Sequence, residues 1–203
     1  MIIQYHGDAC VRLSGKHGGS DFTVLMDPYD AKETGLRVLR PSSVDVVLST
    51  TGVVPSFGEG PFIITGPGEY DVRGVSIIGI PFHGKTIYRI AAEDLTIVHL
   101  GFVAASPDSL LIEQLGDVDI VFVPVGGNGV LTASGAAEVI ERMEPRVVVP
   151  IQYAVPESNL PYDRATAFVK EMGCNERDAE DKLKVVKRDL PTDERWVRLL
   201  EVS

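Results

Sequence analysis

The chain has 203 residues, 44% of them hydrophobic, with 29 Asp and Glu against 19 Lys and Arg, for a formal net charge of −10. That apolar share supports a folded core and excludes a disordered chain, and the negative field disfavours phosphate backbones, so nucleic acid is not expected as a partner. The two cysteines, Cys10 and Cys174, lie far apart and outside any Cys-x-x-Cys pattern, which excludes a disulfide framework and a cysteine zinc or redox motif.

From the N-terminus, the opening MIIQYHGDACVRL carries no basic stretch followed by an apolar one and a cleavage site, and no apolar run approaches a membrane span. A cytoplasmic chain without membrane contact is expected, folded as a single domain over 1–203. Short β-branched runs bounded by Gly, Pro, Asp or Ser predict strands over Ile2–Tyr5, Cys10–Leu13, Phe22–Met26, Val44–Leu48, Phe62–Ile64, Val75–Ile80, Thr86–Ile90 and Leu95–His99. Gly15–Asp21 reads as a turn, and Gly66–Gly74, punctuated by Gly and Pro, reads as a bend between strands.

The second half changes period. Helices are predicted over Ser106–Leu115, over Thr132–Met143 with Ala137, Ile140 and Glu141 down one side, and over Tyr162–Met172 closed by Gly173. Between and after them, Val118–Val125, Arg146–Ile151, Leu183–Lys187 and Trp196–Val202 read as strands. Strand alternating with helix means α/β layering.

In order, the segments YHGDACVRL, TVLMDPY, DVVLSTTGVVPS, VHLGF and DVDIVFVPVGGNGVLTASGAAEVIERMEPRVVVPIQY carry a pattern that resembles the metallo-β-lactamase superfamily. The likeness is to its branch of small bacterial zinc-dependent hydrolase-like proteins related to ascorbate-phosphate lactonases. It runs through FVKEMG and DLPTDERWVRLLEV near the C-terminus. The resemblance implies a four-layer αββα sandwich with its site at one edge between the sheets. It also implies His and Asp ligands to zinc or manganese, which would lower the pKa of bound water and polarise a substrate oxygen.

Carried onto this chain, those ligand positions are nearly bare. A His-x-His-x-Asp-His run is expected directly after Asp45–Thr50, and its positions fall on Thr51, Val53, Pro55 and Ser56. Val and Pro have no donor atom, and neutral hydroxyls bind zinc poorly. The opening Gly-His-Ala-Cys is here Gly7-Asp8-Ala9-Cys10; the bridging Asp falls on Phe102, and the last His on Gln152. His83, in Ile80-Pro81-Phe82-His83, stands where a middle His is retained.

The remaining chemistry-bearing residues have plainer readings. His99 at a strand end supports the fold, Asp27 orients a loop through its carboxylate, Cys10 is buried on a strand, and His6 and His17 are solvated. Asp8 is the replacement that could take a proton. No Gly-x-Ser-x-Gly elbow surrounds Ser49, Ser56 or Ser106, and Gly126–Gly129 lacks the pattern of a phosphate loop.

The bare ligand positions lead to the expectation of a non-catalytic, metal-free relative, with no cofactor, that binds a small molecule or protein through the remodelled edge. One alternative is a metal-dependent hydrolase with a rearranged mononuclear site of zinc or manganese using Asp8, Asp27, His83 and His99. Another is a structural subunit, such as a homo-oligomer, with the old site as an interface. Val53, Val54, Pro55, Phe57 and Phe102 would make that edge uncharged and partly apolar.

Overall fold

The computed structural model describes residues 1–37, 43–55, 60–174 and 178–203. The first sheet is built from β1 (Ile2–Gly7), β2 (Cys10–His17), β3 (Ser20–Met26), β4 (Val46–Leu48) and β5 (Phe62–Ile64), with the four-residue helix α1 (Ala31–Thr34) between β3 and β4. The second sheet takes β6 (Gly68–Val72), β7 (Val75–Phe82), β8 (Lys85–Ala92) and β9 (Leu95–His99). After helix α2 (Ser109–Leu115), β10 (Ile120–Pro124), helix α3 (Ala133–Met143) and β11 (Val147–Ile151) extend that sheet. Helix α4 (Ala165–Glu171), β12 (Leu183–Lys184) and β13 (Trp196–Val197) complete the chain.

The strand order is β12-β1-β2-β3-β4-β5 in one sheet and β13-β11-β10-β9-β8-β7-β6 in the other, the two-sheet α/β sandwich implied by the resemblance. Hairpins make β1, β2 and β3 antiparallel, and β6 to β9 likewise. From β3 to β5 and from β9 to β13 the pairing is parallel. The parallel strands β10 and β11 are buried at every position, as strands covered on both faces must be, whereas β1 alternates buried residues with exposed or half-buried ones. One apolar cluster runs through both sheets and includes Tyr5, Leu13, Phe22, Tyr88, Phe122 and Phe168.

Local chemistry explains the helix starts. The Asp108 carboxylate accepts from the Leu111 amide and Thr132 Oγ1 accepts from that of Gly135, so each satisfies an amide that the first turn leaves free. Helix α3 buries Ala136, Val139, Ile140 and Met143, so the buried stripe differs from the expected Ala137, Ile140 and Glu141, and Glu141 is exposed and bound to Arg195. Gly66–Gly74 corrects the bend expected there, since Gly68–Val72 pairs with β7 as an edge strand. The helix expected over Tyr162–Met172 is shorter, Ala165–Glu171, because Tyr162 belongs to the polar edge treated below. No helix among the described residues is long and apolar enough to cross a membrane.

Burial of this core contributes roughly 25 cal/mol per Å² of apolar surface and involves no coordinated ion, since among the described residues no group of three or more His, Cys, Asp or Glu converges. Thermal unfolding curves recorded with and without a strong chelator are expected to superimpose. A chelator-induced fall of many degrees would reveal a structural metal.

Candidate active site at the strand ends

The carboxyl ends of parallel strands in an α/β layer leave a crevice lined by the loops that follow them. Here the loops after β3, β4, β9 and β11 gather with the β1–β2 and β7–β8 turns at one edge, where polar links join the two sheets. The Gln152 amide donates to Asp8 O at 2.9 Å, the Thr86 amide to Thr50 O at 2.9 Å, and Tyr88 OH to Ser49 O at 3.0 Å. Several residues there adopt left-handed backbone: Asp8 at φ 51°, Asp27 at 42°, His83 at 48° and Gln152 at 53°. Such conformations cost non-glycine residues roughly 1–3 kcal/mol apiece, and they persist where the surroundings hold them. At Gly101, φ 56°, a Cβ would collide with the Thr50 side chain, so this close approach requires glycine.

The first polar cluster is built on Asp27, which lies at the end of β3 and is 3% exposed. Its Oδ1 accepts from the Thr50 amide at 2.7 Å, and its Oδ2 accepts from Thr50 Oγ1 at 2.8 Å and lies 2.7 Å from His99 Nε2. His99 is fully buried with its ring edge-on to Phe122, and its Nδ1 has no hydrogen-bond partner among the described residues. Both carboxylate oxygens are thus committed to holding the loop after β4 against β9. This cluster positions backbone.

The second cluster surrounds Asp8, which is 7% exposed. One oxygen, Oδ1, accepts from Tyr162 OH at 3.0 Å and from Gln152 Nε2 at 3.3 Å, and Gln152 Nε2 also donates to Tyr162 OH at 3.2 Å. Gln152 is fully buried, yet its Oε1 accepts no hydrogen bond among the described residues. An acceptor so placed remains able to take a proton donor, such as a water. Burial, opposed by the bonds from Gln152 and Tyr162, pushes the Asp8 carboxyl up to about 6, and the nearby Asp27 charge adds to the rise.

A raised carboxyl has a definite linkage sign. The folded value, about 6, lies above the ordinary 3.8, so its contribution to stability is fully present below about pH 4 and is lost as pH rises through 6. Asp8→Asn keeps an oxygen for Tyr162 and suits the positive φ, but removes the buried charge. The variant is expected to be more stable than the parent by roughly 1–2 kcal/mol at pH 8 and little changed at pH 4, read as a difference in melting temperature at the two pH values. Equal or lower stability at pH 8 would mean that the Asp8 charge is not penalised.

The structure separates the four expected site residues. Asp27 and His99 bond directly, and Asp8 lies close enough to Asp27 to feel its charge but bonds to Gln152 and Tyr162 instead. His83 stands apart, exposed on the β7–β8 turn with its ring tilted against that of Phe82. His6 is half-buried with Nδ1 3.0 Å from Ser203 O, which corrects the expectation of a solvated ring, and burial lowers its pKa. Tyr162 was absent from the expected set.

The ligand positions carried over from the resemblance hold no converging donors. Thr51 and Val53 are exposed, Val53 at 73%, Pro55 is half-buried, and Phe102 packs partly against the core. Ser56 and Phe57 lie outside the described residues. Among the described residues no three His, Cys, Asp or Glu side chains converge, so the residues at these positions do not fit the metal that the resemblance implies.

Comparison with known proteins sharpens the picture. Residues 2–152 match the model of the beta-lactamase superfamily domain. A UPF0173 metal-dependent hydrolase of Natranaerobius thermophilus is 31% identical over 197 residues, covering 75% of this chain and 83% of the relative. One of Lysinibacillus sphaericus is 27% identical over 201 residues, covering 75% and 85%. The crystal structure of a candidate Zn-dependent hydrolase of the metallo-beta-lactamase superfamily from Thermotoga maritima superposes with a TM-score of 0.83 at 25% identity, covering all of both chains. Relatives that match most of the chain are thus named as metal-dependent hydrolases, which overturns the expectation of a non-catalytic relative with no metal cofactor. Missing donors at inherited positions were too narrow a ground for that expectation.

Proposed function

Because the chain belongs to the beta-lactamase superfamily, shown by the match over residues 2–152, we propose that it is a hydrolase whose site is rearranged around Asp8. The names of its relatives bring metal dependence with them. The positions that would hold the ions do not fit them here, so any ion the chain uses is held by other donors, and no step below runs through one. The cytoplasm is the compartment we propose.

The observation that carries this reading is the Asp8–Tyr162–Gln152 cluster at the strand-end edge. A carboxyl near 6 is ionised at neutral pH and still basic enough to take a proton from water. Tyr162 and Gln152 both donate to Oδ1, which orients the carboxylate. In the proposed reaction the water oxygen attacks an ester carbon or phosphorus, and Asp8 takes the water's proton. As the bond to the leaving oxygen breaks, Asp8 returns that proton to it. Asp27 and His99 act as positioning residues that hold the loop after β4.

Tyr162→Phe separates orientation from chemistry. It removes the donor to Asp8 Oδ1 but keeps the ring, and is expected to lower kcat roughly tenfold with a further rise in the apparent pKa of Asp8. Hydrolysis of lactone and phosphoester panels at several pH values would measure both. An unchanged profile would show that Tyr162 does not act on Asp8.

A further inference from the structure

Between the loop after β4 and the β7–β8 turn lies a cleft of about 360 Å³ whose lining includes Thr51, Gly52, Thr65, Pro81, His83 and Lys85. The chain carries a net charge of −10, yet no carboxylate lines this cleft among the described residues, and its ionisable side chains are His83 and Lys85. The Lys85 ammonium sits 5.6 Å from the centroid of the Phe102 ring. An aromatic face attracts an ammonium group without cancelling its charge. Among the described residues no carboxylate pairs with Lys85. A cation held in place but not neutralised, at the mouth of a cleft in an acidic protein, attracts anions locally against the field of the whole.

The surroundings are uncharged apart from His83 and Lys85. Thr51 and Thr65 line the cleft, and the backbone at Gly52, His83 and Gly84 takes positive φ. Thr50 also lines the cleft, and its amide and hydroxyl bind Asp27, so the cleft adjoins the first polar cluster.

We propose that this cleft is an anion subsite in which Lys85 binds a phosphate or carboxylate group of the substrate. The assignment of that anion to a substrate rests on the hydrolase reading; the binding itself does not. Full-length protein is titrated with inorganic phosphate and, separately, with acetate at constant ionic strength, following backbone amide signals by NMR. Saturable shifts are expected at Gly52, Gly84, Lys85 and Thr86 for at least one anion, and the anion that saturates identifies the group. Lys85→Gln is expected to weaken that binding about tenfold, whereas Lys16→Gln, a lysine exposed on the β2–β3 hairpin, leaves it unchanged. Absence of saturable shifts with either anion, or equal weakening by both variants, overturns the subsite. Turnover that depends on Asp8 but has a KM insensitive to Lys85→Gln sinks the subsite alone. Anion binding sensitive to Lys85→Gln in a protein without turnover supports the subsite and sinks the hydrolase reading alone.

Discussion

Asp27→Ala is expected to destabilise the protein by about 3–5 kcal/mol, the cost of breaking a buried polar cluster by removing one partner. The aspartate is 3% exposed and holds the Thr50 amide, the Thr50 hydroxyl and His99 Nε2. Alanine leaves the Thr50 groups and His99, all inside the protein, without that acceptor. For a chain of this length each kcal/mol corresponds to roughly 2–4 °C, so the melting temperature should fall by on the order of 10 °C. Asp27→Asn is the discriminating companion. It keeps one acceptor oxygen but puts an amide where a carboxylate oxygen now accepts, and about half the loss is expected. A fall within a few degrees for Asp27→Ala would mean that the loop after β4 is held by something other than this carboxylate.

The second large effect is on rate. Asp8→Asn removes the proposed base while keeping the backbone conformation and an acceptor for Tyr162, so kcat/KM is expected to fall roughly 10²- to 10⁴-fold, the usual worth of a positioned base. The same substitution should stabilise the protein above pH 6, because the buried charge goes with it. Lower activity with higher stability is the mark of a group kept in an unfavourable state for function. A merely structural Asp8 would lose both together.

Much of this fold was legible in the chain. Fully apolar runs such as Ile120–Pro124 and Val147–Ile151 are what strands covered on both faces require, and Thr132 announces a helix start. The strand Gly68–Val72 was hidden by its Gly and Pro neighbours, which read as a turn, and α1 is too short for any periodicity to show. At the site, Asp27 and His99 each end a strand, and their expected supporting roles agree with the bond between them. The Asp8 cluster was not legible as a unit. Gln152 read as a lost ligand and Tyr162 as the start of a helix, and both meet Asp8 only when the two sheets close over a separation of about 150 residues. The expectation of a non-catalytic protein failed for a related reason. It rested on the donors missing from inherited positions, and relatives named as metal-dependent hydrolases overturn it.

The pH dependence of hydrolysis tests the central claim most directly. With zinc or manganese supplied, and with lactones, phosphodiesters and phosphomonoesters as substrates, the parent protein is expected to show kcat/KM rising through an apparent pKa of about 6 as Asp8 ionises. Asp8→Asn should lose that limb along with most of the rate. No turnover above buffer across the panel, or an Asp8→Asn variant with the parent's rate and profile, would contradict a hydrolase run by this carboxylate.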